Sequence, residues 1–146
     1  MQPLAWQGFP ALAAHPWAYP ALEVVHIVGI ALLVGNLVLF ELRVWGVAPA
    51  LDLRALARPA LSLALAGFVL AAASGLTLFA TRPGELLANP AFVLKMGAVM
   101  LAGVNAAWFH ARGGLLRADG LARAQTLLSI GAWLAVIALG RWIAYV

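Results

Sequence analysis

One stretch near the N-terminus, residues 21–45, constrains this chain more than any other feature of its sequence. It reads ALEVVHIVGIALLVGNLVLFELRVW, and it is apolar enough and long enough to cross a bilayer, which takes about 20 residues. Yet it contains Glu23, His26, Asn36 and Glu41. Polar side chains are costly inside a membrane and usually face a bundle interior or a functional site. The stretch therefore predicts a membrane-spanning helix that carries a polar face.

Three further apolar stretches complete a set of four predicted spans, at residues 59–81, 90–111 and 121–145. The chain is 65% hydrophobic and only 10% charged, whereas a soluble domain carries about 25% charged residues. So few charges cannot cover a water-exposed surface, and most of the surface must face lipid. We predict an all-α, antiparallel four-helix membrane bundle over residues 21–146, preceded by an interfacial segment over residues 1–20.

Helix start and stop signals set the bounds of the spans. Proline suits a first helical turn, where its missing N–H costs nothing, so Pro59 and Pro90 are predicted to open the second and third spans. Residues 46–58 and 112–120 are predicted loops, and Arg82-Pro83-Gly84 has turn chemistry. Amphipathic aromatic rings settle among lipid headgroups. We therefore expect the segment before the first span to lie in that layer and to end at Pro20; its rings are Trp6, Phe9, Trp17 and Tyr19.

Several classes of protein are excluded by what the sequence lacks. There is no cysteine, which excludes disulfides, thiolate metal sites and covalent c-type haem. The net charge of +4 does not indicate nucleic acid, because no basic tract is long enough to follow a phosphate backbone. No phosphate loop, HExxH motif or nucleophile elbow is present. The sequence assigns no enzymatic reaction.

The arginines predict the orientation. The first and third loops, with the adjoining helix ends, carry Arg43, Arg54, Arg58, Arg112, Arg117 and Arg123. The opposite side has an N-terminus without arginine, and Arg82 there is balanced by Glu85. Lysine and arginine accumulate on the cytoplasmic side of membrane proteins. Both termini are therefore expected in the periplasm, with the chain in a bacterial inner membrane.

Spans one and three, which run in the same direction, carry polar residues at matching positions. His26, Asn36 and Glu41 align in turn with Lys95, Asn105 and His110. This pattern is typical of a two-helix unit repeated in parallel about an axis along the membrane normal. The alternative is that both helices simply need polar groups at similar depths.

The same alignment sorts the polar side chains into layers. The outer layer contains Glu23, His26, Lys95 and Arg141. A carboxylate beside an imidazole supports a metal-bound histidine, and the two cations would suit haem propionates or an acidic or quinone-like substrate. The alternatives are a structural salt-bridge cluster and a path for protons. His15 is a candidate second ligand.

The inner layer contains Glu41 and His110, with Arg43 and Arg112 at its edge. A carboxyl group paired with a neutral histidine suits a proton relay; the alternatives are an axial haem ligand and a partly hydrated interfacial histidine. At about 1.5 Å of rise per residue, His26 and His110 differ in depth by roughly 22 Å. The two histidines would therefore belong to separate sites.

Asn36 and Asn105 form the middle layer. We expect each to hydrogen-bond the other or a backbone carbonyl, and so to hold helices together. Such contacts contribute about 0.6 kcal/mol on average in membrane bundles. Glu41 is a candidate for the same structural role.

Several stretches together resemble a family of small bacterial four-helix membrane proteins with a domain of unknown function. They are ALEVVHIVGIALLVGN, ELRVWGVAP, SGLTLF, NPAFVLKMGAVMLAGVNAAWFH and GRWIAY, and they cover nearly the whole chain. The resemblance implies fold and location rather than activity. More distantly, His26 with Gly29 and the span from Lys95 to Asn105 resemble the copper-resistance D membrane proteins. The layout is similar to bacterial b-type di-haem cytochromes, although no second histidine within a span lies opposite His26.

The first hypothesis from the sequence is a redox module of the inner membrane. A b-type haem would lie near His26, with its propionates held by Lys95 and Arg141, and a second haem near His110. Electrons would pass between the membrane faces or to a redox partner, and the chain would act alone or as a homo-oligomer.

Two alternatives stay open. In the first, the protein handles copper, another cation or protons: Glu23, His26 and His15 collect the ion, and Glu41 with His110 releases it inward. In the second, it is a non-catalytic subunit of a larger membrane complex, and its polar layers only lock the helices together.

Overall fold

The computed structural model of the protein describes residues 9–146; Trp6 of the predicted interfacial segment lies outside the described residues. The helices are α1 (Pro10–Ala14), α2 (Ala18–Val44), α3 (Leu53–Thr81), α4 (Pro83–Ala88), α5 (Pro90–Ala111), α6 (Gly114–Arg117) and α7 (Gly120–Trp142). Four of them, α2, α3, α5 and α7, are long and apolar enough to cross a membrane. The prediction of an all-α, four-helix membrane protein is confirmed.

Side-chain caps fix where the spans begin. Asn89 accepts a hydrogen bond from the Phe92 N–H at 3.2 Å and Pro90 opens α5, as predicted. Asp119 caps α7 in the same way, with 2.8 Å between its carboxylate and the Ala122 nitrogen. Each cap satisfies one of the N–H groups that a helix start leaves without a partner.

The predicted start of the second span at Pro59 is wrong. Asp52 accepts a hydrogen bond from the Ala55 N–H at 2.7 Å and starts α3 at Leu53. Pro59 therefore lies inside the helix, where it removes one backbone donor. A local cap has outweighed the usual preference of proline for a first turn.

The helix of the first span begins at Ala18, slightly before the predicted start of that span at Ala21. The Nδ1 atom of His15 accepts from the Trp17 and Ala18 N–H groups at 3.3 and 3.2 Å. Pro20 falls in the first turn, where it displaces no hydrogen bond. The short helix α4 begins within the predicted turn at residues 82–84, and the short helix α6 lies within the predicted loop at residues 112–120.

α2 and α3 cross with their backbones in direct contact. A β-carbon on Gly67 would lie 2.5 Å from the Leu33 nitrogen, and one on Gly29 would lie 2.6 Å from the Ala71 nitrogen. Real β-carbons do not approach backbone atoms so closely, so only glycine fits at either position. Small residues of this kind let membrane helices pack tightly without a hydrophobic driving force.

The four spans form two helical hairpins, α2 with α3 and α5 with α7, which meet mainly along α2 and α7. Aromatic contacts help to join them. Phe40 of α2 meets Phe109 of α5 edge-on at 6.1 Å between ring centroids, and Phe68 of α3 meets Trp133 of α7 at 6.3 Å. We call the contact between α2 and α7 the seam.

The two ends of the bundle differ in composition. At the end where Phe9 and Val146 lie, which we call the terminal end, the Phe9 N–H donates to the Ala80 carbonyl at 2.9 Å and Asn89 donates to the Val146 carbonyl at 2.7 Å. We call the other the arginine-rich end; its arginines are Arg43, Arg54, Arg58, Arg112, Arg117 and Arg123.

Candidate functional site

The most unusual side chain in the bundle is that of Glu41. It lies near the end of α2, is 2% exposed, and faces α7 across the seam. The Ser129 hydroxyl of α7 is close enough to act on this carboxyl group, whereas its Oε2 atom is buried with no hydrogen-bond partner among the described residues. No cation forms an ion pair with it within the same residues. A carboxyl group is thus enclosed in the bundle with half of its hydrogen-bonding capacity unused.

A small cavity of about 20 Å³ adjoins Glu41. A single water molecule needs at least roughly 10–15 Å³ of such space, so the cavity has the volume of about one water. Apart from Glu41 itself its walls are apolar: Val34, Leu37, Val38, Ile130, Trp133 and Leu134. The space beside the carboxyl group is therefore apolar.

Two further unpartnered polar atoms lie toward the arginine-rich end. The Nδ2 atom of Asn105 donates to the Gln125 carbonyl at 2.8 Å, but its Oδ1 atom is buried without a partner, as is the Nε2 atom of Gln125. Both residues are buried. The Oε1 atom of Gln125 accepts from Arg112 at 2.6 Å. The inner polar cluster, as we call it, is Glu41, Asn105, Arg112, Gln125 and Ser129.

Arg112 connects this cluster to the surface. Its guanidinium also donates to both carboxylate oxygens of Asp119, at 3.0 and 3.2 Å. The Arg112 hydrogen bond, followed by the one from the Ala122 N–H, lowers the pKa of Asp119 to about 2. Asp119 is exposed and Arg112 is nearly buried. The ion pair thus forms the surface boundary of the cluster.

His110, predicted to share the inner layer with Glu41, lies elsewhere. It is exposed, its Nδ1 atom is 2.9 Å from the Ala106 carbonyl of its own helix, and its ring meets Phe109 edge-on. Arg43 donates to the Leu51 carbonyl in the first loop. The structure therefore does not pair Glu41 with His110; Ser129 takes that place.

His26, of the predicted outer layer, is held against α3. Its Nδ1 atom lies 2.8 Å from the Ala71 carbonyl and 3.1 Å from the Ser74 hydroxyl, and its ring packs on Gly75. Because a carbonyl only accepts hydrogen bonds, Nδ1 carries a hydrogen, and in the neutral ring Nε2 keeps its lone pair. Lys95 is close enough for its charge to act on the imidazole.

The other outer-layer residues do not converge on His26. Lys95 packs along Gly140 of α7 and has no hydrogen bond or ion pair within residues 9–146. Arg141 is exposed, donates to the Tyr145 hydroxyl at 2.5 Å and covers that ring. Glu23 is exposed and acts on Arg82 at the terminal end. Of the predicted outer-layer residues, only Lys95 lies close enough to His26 for its charge to act on the imidazole.

Asn36 and Asn105, the predicted middle layer, each bond a backbone carbonyl, which is one of the two predicted alternatives. Asn36 donates to the Leu32 carbonyl of its own helix at 2.7 Å, and Asn105 donates to the Gln125 carbonyl of α7. Both therefore bond a backbone carbonyl rather than each other. Only Asn105 joins two helices.

The described residues do not assemble a ligand set for haem or copper. No group of three or more metal-ligating side chains occurs in that part of the chain. His15 caps α2, His110 is exposed, and Arg141 is exposed and bonds Tyr145. The cofactor predictions therefore rest on His26 and His110 as single candidate ligands.

Comparison of the chain with family models, with curated proteins and with solved structures finds no match. The choice among functions therefore depends on the side chains themselves.

Sequence reasoning missed two members of the inner polar cluster, Gln125 and Ser129. Their spacing of four residues places them on one face of a helix, and both stand in a predicted span. Two polar side chains one turn apart in a predicted span are the sequence signal that could have identified this face.

Proposed function

We propose that this protein is a small multi-pass membrane module that handles protons, with Glu41 as the proton-binding group. The observation that carries the proposal is the burial of this carboxyl group, with Oε2 unpartnered, in a helix long enough to span a bilayer. Of the functions considered from the sequence, this is the ion-handling alternative.

The chemistry follows from the cost of burying charge. An ionised carboxylate in an apolar medium is stabilised only by paired charges or several hydrogen bonds. Glu41 has one hydrogen-bonding side chain, Ser129, and no cation within the described residues. It therefore has two accessible forms, one protonated and one ionised with water or a cation that has entered. A group that changes between such forms inside a membrane suits proton uptake and release.

A purely structural role explains Glu41 less well. Side chains that only hold helices together have their polar atoms paired, because each buried unpartnered atom is costly. Asn36 illustrates this with a short bond to the Leu32 carbonyl. Glu41 keeps one oxygen unpartnered beside a space for about one water.

We further propose that the arginine-rich end faces the cytoplasm and that both termini lie in the periplasm of a bacterium. The proposal rests on the six arginines of that end, since the positive-inside rule counts lysine and arginine in short loops. The Glu41 site then lies nearer the cytoplasmic face.

An infrared titration of the protein in lipid tests the proton-binding role. We expect the C=O stretching band of a protonated carboxylic acid, and we expect its intensity to change with pH as Glu41 exchanges its proton. Glu41→Gln should remove this band. Glu23→Gln is the matched control, because Glu23 lies in the same helix but is exposed. If the wild-type and Glu41→Gln spectra coincide at every pH at which the protein stays folded, the proposal is wrong.

Repeating the titration with Na⁺ in place of K⁺ separates a proton from a metal cation. A proton-binding group gives the same titration in both salts. A strong dependence on Na⁺ would assign the site to that cation instead.

A second candidate function, haem-based electron transfer, is favoured by one observation. The Nδ1 atom of His26 bonds the Ala71 carbonyl, and this second-shell contact is typical of histidines that bind metals through Nε2. The absorbance spectrum of protein purified after haem-replete expression tests it. A Soret band lost in His26→Ala supports haem; a spectrum without that band rejects it. Metal analysis of the same sample tests copper.

A further inference from the structure

We infer that Glu41 exchanges its proton through a hydrated path that opens only at the arginine-rich end of the bundle. The inference rests on the proposed function, because it takes Glu41 as the proton-binding group. It adds the route of the proton and the side of the membrane from which the proton comes.

The first argument is the location of the unsatisfied polar atoms. The described residues contain three buried side-chain atoms with no hydrogen-bond partner: Oε2 of Glu41, Oδ1 of Asn105 and Nε2 of Gln125. All three belong to the inner polar cluster. Buried waters typically bond about three otherwise unsatisfied polar groups each. Two acceptors and one donor in the same part of the bundle are a suitable lining for a short chain of water.

The second argument is the order of polar side chains along α7. Asp119 lies at the surface, Gln125 follows deeper in the helix, and Ser129 meets Glu41 one turn further. At 1.5 Å per residue, Asp119 and Ser129 are separated by roughly 15 Å of helix. Arg112 spans the outer part of this distance, since it bonds both Asp119 and Gln125. Polar groups thus extend from water to the carboxyl group.

The third argument is the apolar barrier on the other side of Glu41. The cavity walls beyond it are aliphatic or aromatic. Asn36, the next polar side chain along α2, is bonded to the Leu32 carbonyl of its own helix. His26 lies fifteen residues from Glu41 along α2, which is roughly 22 Å. A proton at Glu41 therefore has a polar route toward the arginine-rich end only.

The proton transfer itself needs no other reactant. A hydronium-borne proton from bulk water passes along the water chain to Oε2 of Glu41 and forms an O–H bond. On release the O–H bond breaks, and the proton returns to water by the same route. Asn105, Gln125 and Ser129 orient the waters by hydrogen bonds and exchange no proton themselves.

Single-cysteine accessibility tests the path directly, because the chain has no native cysteine. Ser129→Cys is the principal reporter and Asn105→Cys the second, in case one variant folds poorly. Val34→Cys is the matched control, since it lies in the same seam on the apolar side of Glu41. Leu116→Cys marks the arginine-rich end and Tyr145→Cys the terminal end, and both positions are exposed.

The probe is a permanently charged, membrane-impermeant methanethiosulfonate, applied to sealed vesicles of either orientation. Thiols react as thiolates, which need a hydrated environment. We expect Ser129→Cys to react on the order of ten-fold or more faster than Val34→Cys. It should do so only in vesicles in which Leu116→Cys also reacts.

Two results would overturn the path: reporter cysteines as slow as Val34→Cys, or reporters modified together with Tyr145→Cys instead of Leu116→Cys. Helical circular dichroism and a single elution peak confirm that each variant is folded. Hydration is read independently of titration. Unreactive reporters with a titrating Glu41 would reject the path and leave the proposed function standing. Reactive reporters with a silent Glu41 would reject the proposed function, and the hydrated region would then carry no proton to Glu41.

Discussion

Replacing Glu41 by methionine should stabilise the protein while removing its proton-binding group. Methionine is unbranched and similar in length, and it fills irregular apolar space well. The walls around Glu41 are apolar, so the new side chain meets matching surface. A residue kept for function rather than stability is expected to behave in this way.

The expected magnitude follows from two contributions to the free energy of unfolding. Removing the unpartnered Oε2 atom relieves a desolvation penalty of about 1–3 kcal/mol. Losing the polar contact with Ser129 costs about 0.6 kcal/mol, the average for side-chain hydrogen bonds in a membrane bundle. The variant should therefore be more stable by roughly 0.5–2.5 kcal/mol.

The assay is unfolding in mixed micelles by titration with sodium dodecyl sulfate, followed by far-ultraviolet circular dichroism. Glu23→Met is the control, and as a substitution of an exposed residue it should change the free energy by less than about 0.5 kcal/mol. The reasoning is refuted if Glu41→Met is clearly less stable than wild type. The carboxyl group would then be a structural link between α2 and α7.

Three further predictions concern the scaffold. Gly67→Ala should lower the free energy of unfolding by about 1–3 kcal/mol, because its methyl group meets backbone atoms of α2; Gly97→Ala, which has open space around it, should not, and the same titration compares them. The depressed pKa of Asp119 stabilises the fold fully above the ordinary aspartate pKa, and this contribution is lost as pH falls from about 4 to about 2. Asp119→Asn, which keeps a capping side chain, should remove this part of the acid dependence in unfolding curves recorded across that range. Asn89→Ala should lower the free energy of unfolding by about 1 kcal/mol through loss of the α5 cap; an unchanged free energy in the same sodium dodecyl sulfate titration would contradict this role.

The spans were predictable because bilayer thickness fixes how long an apolar helix must be. Their ends were less so. Asp52 caps α3 at a point before Pro59, the residue that was expected to open the helix. His15 likewise caps α2 before Pro20. A cap depends on the local backbone conformation, which composition and periodicity do not specify.

The site was only half predictable. Sequence placed Glu41 inside a membrane helix at the correct end, but matched it with His110 from the repeat alignment. Alignment gives depth and not rotation about the helix axis, and α5 turns His110 outward and Asn105 inward. The partner came instead from α7, where Ser129 faces the seam. Arg141 likewise has the expected depth but a nearer partner in Tyr145, one turn along its own chain.

The glycine crossing of α2 and α3 limits how the molecule can change shape. Two helices whose backbones touch cannot slide or tilt against each other without opening gaps, because no side chain is present to fill them. The α2–α3 pair must therefore move as one rigid body. The seam between α2 and α7 is the less extensive junction, and Glu41 stands on it. Gaining or losing one charge there would change how the two hairpins pack against each other. The angle between the hairpins would then change slightly, and so would the outer surface that they present together.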